Sequence, residues 1–232
     1  MRTSLVVPAF NEEKGLPLVI REYLEYVDEI IVVDDGSTDG TYEAAKMCIC
    51  EKVKLFRHEV NRGKVAALRT GVEHARGEII IFTDADYTYP ARYVPDLVKA
   101  IEGGADLALG ARLNQRHNIP AINRLGNNIF SFIATYISCM RIQDSQTGMR
   151  ALRREMFEKL DVNARSLEFE TKMTVRAAKL GYKIVEIPIE YRERVGRSKL
   201  NPIKDGARMM VALLSVAYSE TSLLSKMILL PS

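Results

Sequence analysis

The feature that most constrains this fold is a rhythm in the first hundred residues. Short apolar runs alternate with stretches of helical spacing. The runs Ser4–Pro8, Glu29–Val33, Val53–Phe56, Ile79–Phe82 and Asp106–Leu109 read as strands. Between them, Glu12–Val27, Asp39–Cys50, Lys64–Ala75 and Pro90–Ile101 read as helices. In the first of these, Leu16, Val19, Ile20, Tyr23, Leu24 and Val27 recur at helical spacing. Strands alternating with helices mean right-handed crossovers and a parallel sheet, and strands apolar throughout are covered on both faces. The expectation is an α/β fold with a mostly parallel sheet flanked by helices.

After residue 112 the rhythm breaks. Ile119–Arg141 carries Ile122, Leu125, Ile129, Ile133, Tyr136 and Ile137 at roughly helical spacing. Leu167–Leu180 reads as a further helix, and Lys183–Tyr191 as a strand whose Pro188 favours a sheet edge. Neither a repeat nor a flexible linker is visible. The expectation is one domain over residues 1–232, with C-terminal amphipathic helices.

Composition narrows the class. Hydrophobic residues make up 47% and charged residues 27% of the 232, which excludes a disordered or low-complexity chain. Lys plus Arg is 33 and Asp plus Glu is 30, so the net charge of +3 gives no case for nucleic-acid binding. The three cysteines, Cys48, Cys50 and Cys139, are odd in number and read as free thiols. A strand pattern begins at once, with no secretory signal, so the cytoplasm is the default expectation. No uniformly apolar stretch is long enough to span a bilayer. The apolar run Met209–Tyr218, broken by Ser219–Ser222 and resumed at Leu223, reads as a helix facing a membrane surface or a partner.

Ligands of open parallel sheets sit outside the carboxyl ends of the strands. Three polar clusters fall there: Pro8-Ala-Phe-Asn-Glu12, Asp34-Asp-Gly-Ser-Thr-Asp39 and Asp84-Ala-Asp86. Two carboxylates at i and i+2 past a buried strand can share Mg²⁺ or Mn²⁺ if the backbone turns there. The same pair also reads as one helix cap and one solvated carboxylate. Asp35 is free to take hydrogen bonds from a base or ribose, while Thr38 or Asp39 serves as an N-cap. Asn61-Arg-Gly-Lys64 precedes a helix and reads as an anion site or as a solvated basic turn. Neither GxxxxGK[ST] nor GxGxxG occurs, which disfavours a P-loop or dinucleotide-binding enzyme. Cations follow in the second half. Arg112 comes after the fifth strand and Arg124 opens the amphipathic segment. Arg192, Arg194, Arg197 and Lys199 lie in a loop that can close on a phosphate-rich ligand or remain a solvated basic loop.

Taken together and in order, Val-Val-Pro-Ala-Phe-Asn-Glu, Val-Asp-Asp-Gly-Ser-Thr-Asp-Gly-Thr, Asp-Ala-Asp and a late Ser198-Lys-Leu200 resemble the family 2 glycosyltransferases of GT-A (Rossmann-like) fold. Within that family the chain resembles the dolichol-phosphate (polyprenyl-phosphate) mannosyl- and glucosyltransferases. The likeness spans about residues 3–205. It implies a nucleotide-sugar-binding part over 1–112 and an acceptor-binding, membrane-interface part over 113–232. It implies that Pro8, Phe10, Glu12, Val33 and Asp35 hold the base and ribose. Asp84, Ala85 and Asp86 would lie at the diphosphate, with Asp86 the main ligand of Mg²⁺ or Mn²⁺, Asp84 toward the ribose or sugar, and Thr88 in the place of a third ligand. Arg112 and Arg124 would receive the lipid phosphate, and Arg194 and Lys199 would close on the diphosphate. Position 10 is Phe where Tyr is usual, and position 88 is Thr where some members have Gln. The Arg194–Lys199 spacing is one residue shorter than in some members, which makes Arg192 a rival to Arg194.

The implied reaction is an inverting, metal-dependent transfer of a hexose to a polyprenyl or dolichyl phosphate. GDP-mannose, UDP-glucose and UDP-N-acetylglucosamine all remain open as donors. The implied location is peripheral, on the cytoplasmic face of a membrane. A lipid phosphate is already anionic, so no strong base is needed. If the acceptor were a saccharide hydroxyl, Asp144, Glu168 or Glu170 would serve as base; they also read as capping or surface carboxylates. Two other classes compete. A nucleotidyltransferase should carry a Gly-rich basic loop after the first strand, where this chain has Pro8-Ala-Phe-Asn-Glu-Glu. A non-catalytic, membrane-associated nucleotide-binding module would not need Asp35, Asp84 and Asp86 arranged together.

Overall fold

The computed structural model of the chain describes residues 1–114, 118–160, 162, 164, 168–196, 206, 210 and 211. Strand β1 (Thr3–Ala9) pairs in parallel with β2 (Glu29–Asp34) on one side and with β4 (Ile79–Phe82) on the other. Beyond β2 lies β3 (Val53–Arg57), also parallel. On the far side of β4 come β6 (Arg150–Arg153), β5 (Leu107–Asn114) and β7 (Ile184–Glu190), giving the order β3-β2-β1-β4-β6-β5-β7. β6 runs antiparallel to both of its neighbours, and β7 runs parallel to β5. Among the described residues the sheet therefore has seven strands, of which only β6 is reversed.

Alternation along the strands divides the core into two layers. Leu5, Val7, Ile30, Val32, Ile79 and Ile81 point to one face, where α1 (Leu16–Tyr23) and α4 (Val94–Glu102) cover them. Val6, Ile31, Val33, Ile80 and Phe82 point to the other, under α3 (Lys64–His74), α6 (Arg154–Leu160) and α7 (Glu168–Lys179). A short helix α2 (Thr41–Lys46) follows β2. Each fully buried isoleucine here contributes about 2–5 kcal/mol relative to alanine.

Several expectations are corrected. The first helix begins at Leu16, not Glu12, because Asn11 turns the chain with φ 54 and Pro17 supplies the first helical turn. The fourth begins as a 3₁₀ turn (Ala91–Tyr93) before α4. β5 runs on to Asn114, so Arg112 lies within the strand rather than after it. β6 and α6 have no counterpart in the sequence reading. Pro188 lies in β7 at the sheet edge, as expected. The three cysteines are free.

Helix α5 (Ala121–Ser138) packs on α7 through Ala134, which meets Val175 and Ile142. Its opposite side carries Ile122, Leu125, Ile129, Phe132 and Tyr136, all exposed, with Phe132 at 72% and Tyr136 at 80%. Met210 packs beside Phe130. Apart from Gly206, Met210 and Val211, the stretch 200–218 lies outside the described residues. Among the described residues, no helix is long and apolar enough to cross a membrane.

Candidate active site

The carboxyl ends of β1, β2 and β4 bring the three polar clusters to one rim. The loops after β1 and β2 are stitched together. Asn11 N donates to Ser37 Oγ at 2.9 Å, Glu12 N to Thr41 Oγ1 at 2.7 Å, and Thr38 N to Asn11 Oδ1 at 2.8 Å. The N-cap of α2 is Gly40 rather than Thr38 or Asp39, and Asp39, one residue earlier, accepts from the Thr41 amide at 3.0 Å. Gly15 lies against the Asp84–Asp86 turn so closely that a Cβ there would come within 2.5 Å of the Ala85 carbonyl oxygen. Pro8, Phe10 and Val33 line the ends of β1 and β2; Val33 is buried, while Pro8 and Phe10 are half-buried.

Asp35 is not free. His58 Nδ1 lies 2.7 Å from its Oδ1, and the amides of Arg62 and Gly63 donate to it at 2.9 and 2.8 Å. The anion held by the α3 N-terminus is thus the chain's own carboxylate, and Asp35 clamps the β2 loop to α3. Gly63 takes φ 93, which lets the backbone turn its amide to that task.

The backbone does turn between the two rim aspartates. Tyr87 has φ 66 and brings Thr88 back onto Asp86, whose Oδ1 accepts from the Thr88 hydroxyl at 2.6 Å and its amide at 3.2 Å. Thr88 is fully buried, so its hydroxyl steadies Asp86. Asp86 Oδ2 receives Arg194 Nη1 at 2.5 Å, and Arg194 Nη2 contacts Glu12 Oε1. Burial pushes the Asp86 carboxyl up, the neighbouring Asp84 charge pushes the same way, and Thr88 and Arg194 offset only part of this.

Asp84 has a different partner. Lys64 Nζ lies 2.6 Å from Asp84 Oδ1 and 2.6 Å from Glu170 Oε1, joining the first half of the chain to α7. Burial opposes ionisation of Asp84, but the Lys64 charge and hydrogen bond win and hold its carboxyl below the usual range. Burial likewise opposes the Lys64 ammonium, and Asp84 and Glu170 together raise its pKa nonetheless. Gly148 faces Asp84, where any Cβ would collide with the carboxylate. Lys64 and Glu170 were legible only as a basic turn and an optional base. Their pairing depends on α7 folding back over the rim, which local sequence does not encode.

On the neighbouring side, Arg112 is held by Asp144 through its amide (2.9 Å), Nε (2.7 Å) and Nη2 (2.8 Å). Burial alone would raise the Asp144 carboxyl, but the Arg112 charge and hydrogen bonds take it below the ordinary range. Arg112, Ile119, Arg124, Asn127, Gln143 and Asp144 line a hollow there. Arg124, in the first turn of α5, is exposed and forms no side-chain hydrogen bond or ion pair among the described residues.

Arg150 was missed entirely. Fully buried in β6, it donates to the carbonyls of Ser145, Thr147 and Glu170 and to Thr174 Oγ1 at 2.8–2.9 Å. It fixes the loop that carries Asp144 and the turn that carries Glu170. Arg192, the rival to Arg194, forms a bidentate pair with Glu22 at 2.6 and 2.8 Å and stacks on Tyr87. Lys199 and the Ser198–Leu200 motif lie outside the described residues. Among the described residues no cluster of three or more His, Cys, Asp or Glu side chains is arranged as a complete metal site. The oxygens present nonetheless suit a hard cation. Asp86 and Glu12 already converge on one positive group, and a divalent ion needs only one or two carboxylates when a substrate's phosphates and water complete the shell.

Known proteins resemble this chain in sequence and in fold. The chain is 30% identical over 221 residues to the dolichyl-phosphate hexose transferase of Haloferax volcanii, covering 94% of each. It is also 30% identical to the polyprenol monophosphomannose synthase of Mycolicibacterium smegmatis, covering 93% of this chain and 86% of the relative. The glucosyl-3-phosphoglycerate synthase of Mycobacterium tuberculosis, solved with Mn²⁺, UDP and glucosyl-3-phosphoglycerate, shares the fold with a TM-score of 0.71 at 22% identity, covering 93% and 80%. A family model described as glycosyl transferase family 2 matches residues 4–161, the stretch from β1 to the α6 end that carries the acidic rim, Lys64, Arg112 and Arg124. That match covers well over half of the chain, and the sheet has the GT-A form expected, so the chain belongs to glycosyl transferase family 2 and is a glycosyltransferase.

Proposed function

We propose that this enzyme transfers a hexose from a nucleotide sugar to a polyprenyl phosphate, with inversion at the anomeric carbon, at a membrane surface. The observation that carries the reading is the pairing of carboxylates beside the cationic hollow. Asp144 is committed to Arg112 and Glu170 to Lys64, which ties up two of the three carboxylates that the sequence offers as a base for a hydroxyl acceptor. An acceptor that is already an anion needs no such base. It needs cations, and the hollow holds Arg112 and Arg124, the latter without an ion-pair partner among the described residues. The relatives from H. volcanii and M. smegmatis, named for dolichyl-phosphate and polyprenol monophosphomannose chemistry, support this reading.

The residues then divide the work. Pro8, Phe10, Glu12 and Val33 flank the base and ribose, with Asp35 beneath them holding the loop. Asp86, steadied by Thr88, would hold Mg²⁺ or Mn²⁺, with Asp84 and Ala85 forming the rest of the turn. When bound, that ion takes up charge from the leaving diphosphate. Arg112, kept in place by Asp144, and Arg124 neutralise the acceptor phosphate so that one of its oxygens can approach the anomeric carbon. That oxygen forms the new bond as the bond to the nucleoside diphosphate breaks on the opposite face. Positioning and charge stabilisation account for the rate.

The exposed stripe of α5 supports a peripheral membrane contact. An apolar helix face with Arg124 and Arg141 near its ends suits the interface of an anionic leaflet. GDP-mannose and the UDP-hexoses are the donors to test. In a panel of nucleotide sugars, one should release its nucleoside diphosphate only when a polyprenyl phosphate and Mg²⁺ or Mn²⁺ are present. Release that ignores the lipid phosphate would overturn the proposal.

A further inference from the structure

The segment after β7 is strapped over the acidic rim. Arg192 N donates to the Thr88 carbonyl at 2.9 Å, and Val195 N to the Asp86 carbonyl at 3.0 Å. Two guanidinium groups fasten it from the side-chain direction. The Arg192–Glu22 pair lies at the outer margin, on the ring of Tyr87. The Arg194 pair lies within, shared between Asp86 Oδ2 and Glu12 Oε1. These two anchors differ in kind. Glu22 stands on α1 and also accepts from the Ala91 amide, outside the Asp-x-Asp pair itself, whereas Asp86 is the carboxylate that the proposed function gives to a divalent cation.

Asp86 has little room to serve two cations. Its Oδ1 is taken up by the Thr88 hydroxyl and amide, which leaves Oδ2 as the oxygen facing outward, and Arg194 holds it. A buried carboxylate beside a second carboxylate requires a positive partner, since an uncompensated charge there is costly. Arg194 supplies it. It approaches from a strap whose other inner contact among the described residues is the Val195 amide bond, and its own Nε is buried with no partner among them. Among the described residues the guanidinium is thus held by its two terminal nitrogens, on the two carboxylates.

We infer that Arg194 is a built-in substitute for the divalent cation at Asp86, so that metal entry and release of the inner strap are one linked event. The inference rests on the proposed metal role of Asp86. Arg194 leaves Oδ2 when the cation arrives, and the donor's diphosphate, bound to that cation, offers the freed guanidinium a new anionic partner. Glu22 keeps Arg192 in place, so the strap pivots about its outer anchor instead of detaching. By linkage, the arginine weakens binding of the cation alone, and a nucleoside diphosphate, by drawing the arginine off, strengthens it.

The test is Mn²⁺ binding to the full chain, followed by electron paramagnetic resonance of the free ion, with and without UDP or GDP. Wild type should bind Mn²⁺ weakly alone and more tightly with the matching nucleoside diphosphate. In both Arg194→Ala and Arg194→Met the affinity for Mn²⁺ alone should rise by about tenfold, the scale of one displaced charge-assisted hydrogen bond. The gain on adding nucleoside diphosphate should shrink. Amide hydrogen exchange supplies a second readout. Saturating Mn²⁺ with nucleoside diphosphate should speed exchange at Val195 in wild type and leave Arg192 protected. Two folded variants with wild-type Mn²⁺ affinity, or a Val195 amide indifferent to Mn²⁺, would overturn the inference while leaving the metal reading intact. Absence of Mn²⁺ binding by wild type even with either nucleoside diphosphate would overturn both.

Discussion

Individual side chains at the rim are set by what neutralises them. Asp86 is buried, pushed up by burial and by Asp84, and steadied by Thr88. Replacing it with Asn keeps the shape and removes the charge. Turnover of Asp86→Asn should fall by at least about 10²-fold, the loss typical of one preorganised electrostatic group, with the melting temperature near that of wild type. Activity undiminished in that variant, or wild-type activity undiminished in EDTA, would contradict the metal role. Arg124 tests the other pole. As an exposed cation with no partner among the described residues, it can be removed without leaving a buried charge. Arg124→Ala should raise the KM for polyprenyl phosphate about tenfold or more, and titration with the nucleotide sugar should give an unchanged Kd. The buried pair Arg112–Asp144 makes a stability prediction. Asp144 has its folded pKa depressed below its unfolded value, so the pair's contribution is present above the unfolded pKa. It is lost as pH falls through the depressed one. Asp144→Asn should cost about 3–5 kcal/mol near neutral pH, because it strands Arg112. Its melting temperature should also change less with acidification than that of wild type.

At the level of elements, legibility followed hydrophobic pattern. β1, β2, β3 and β4 are apolar runs between turn residues, and each is found within a residue or two of its expected ends. β6 escaped because two of its four residues are arginines, one of them Arg150 in a fully buried position. A charged side chain satisfied by backbone carbonyls looks like a solvated one until the chain is folded. α6 follows β6 without a loop, which removed the second cue. β5 runs three residues past Ala111 for a similar reason: a buried arginine, Arg112, looks like the end of an apolar run although strand pairing continues to Asn114. The α5 stripe was legible as amphipathic, and the structure shows which of its faces packs on α7 and which is exposed. Changing Leu125 and Phe132 to Glu should abolish flotation with anionic liposomes and leave the melting temperature within about 1–2 °C, as expected of exposed positions. Wild-type binding that dissolves in high salt fits an interfacial contact. Undiminished flotation of the double variant would place the contact elsewhere.

Across the whole molecule, the strand order carries the functional logic. The parallel strands β1, β2 and β4 present the acidic clusters together, and the reversed β6 brings the Asp144–Gly148 loop to the same rim. Lys64 then ties the two parts of the chain across it through Asp84 and Glu170, while Arg150 braces the second part from within through the carbonyls of Ser145, Thr147 and Glu170. This convergence explains what the sequence could and could not disclose. The rim residues lie in recognisable local motifs, whereas their partners, Glu170, Asp144 and Arg194, come from distant segments that only the tertiary fold brings near. The central claim is that the acceptor is a lipid phosphate. It is tested most directly by incubating the enzyme with a labelled nucleotide sugar, Mn²⁺ and one of three acceptors: a polyprenyl phosphate, the corresponding free polyprenol, or a saccharide. The account predicts label in the organic phase with the phosphate alone, released by mild acid as the free hexose. Label transferred to the saccharide, or to the free polyprenol as readily as to its phosphate, would contradict it.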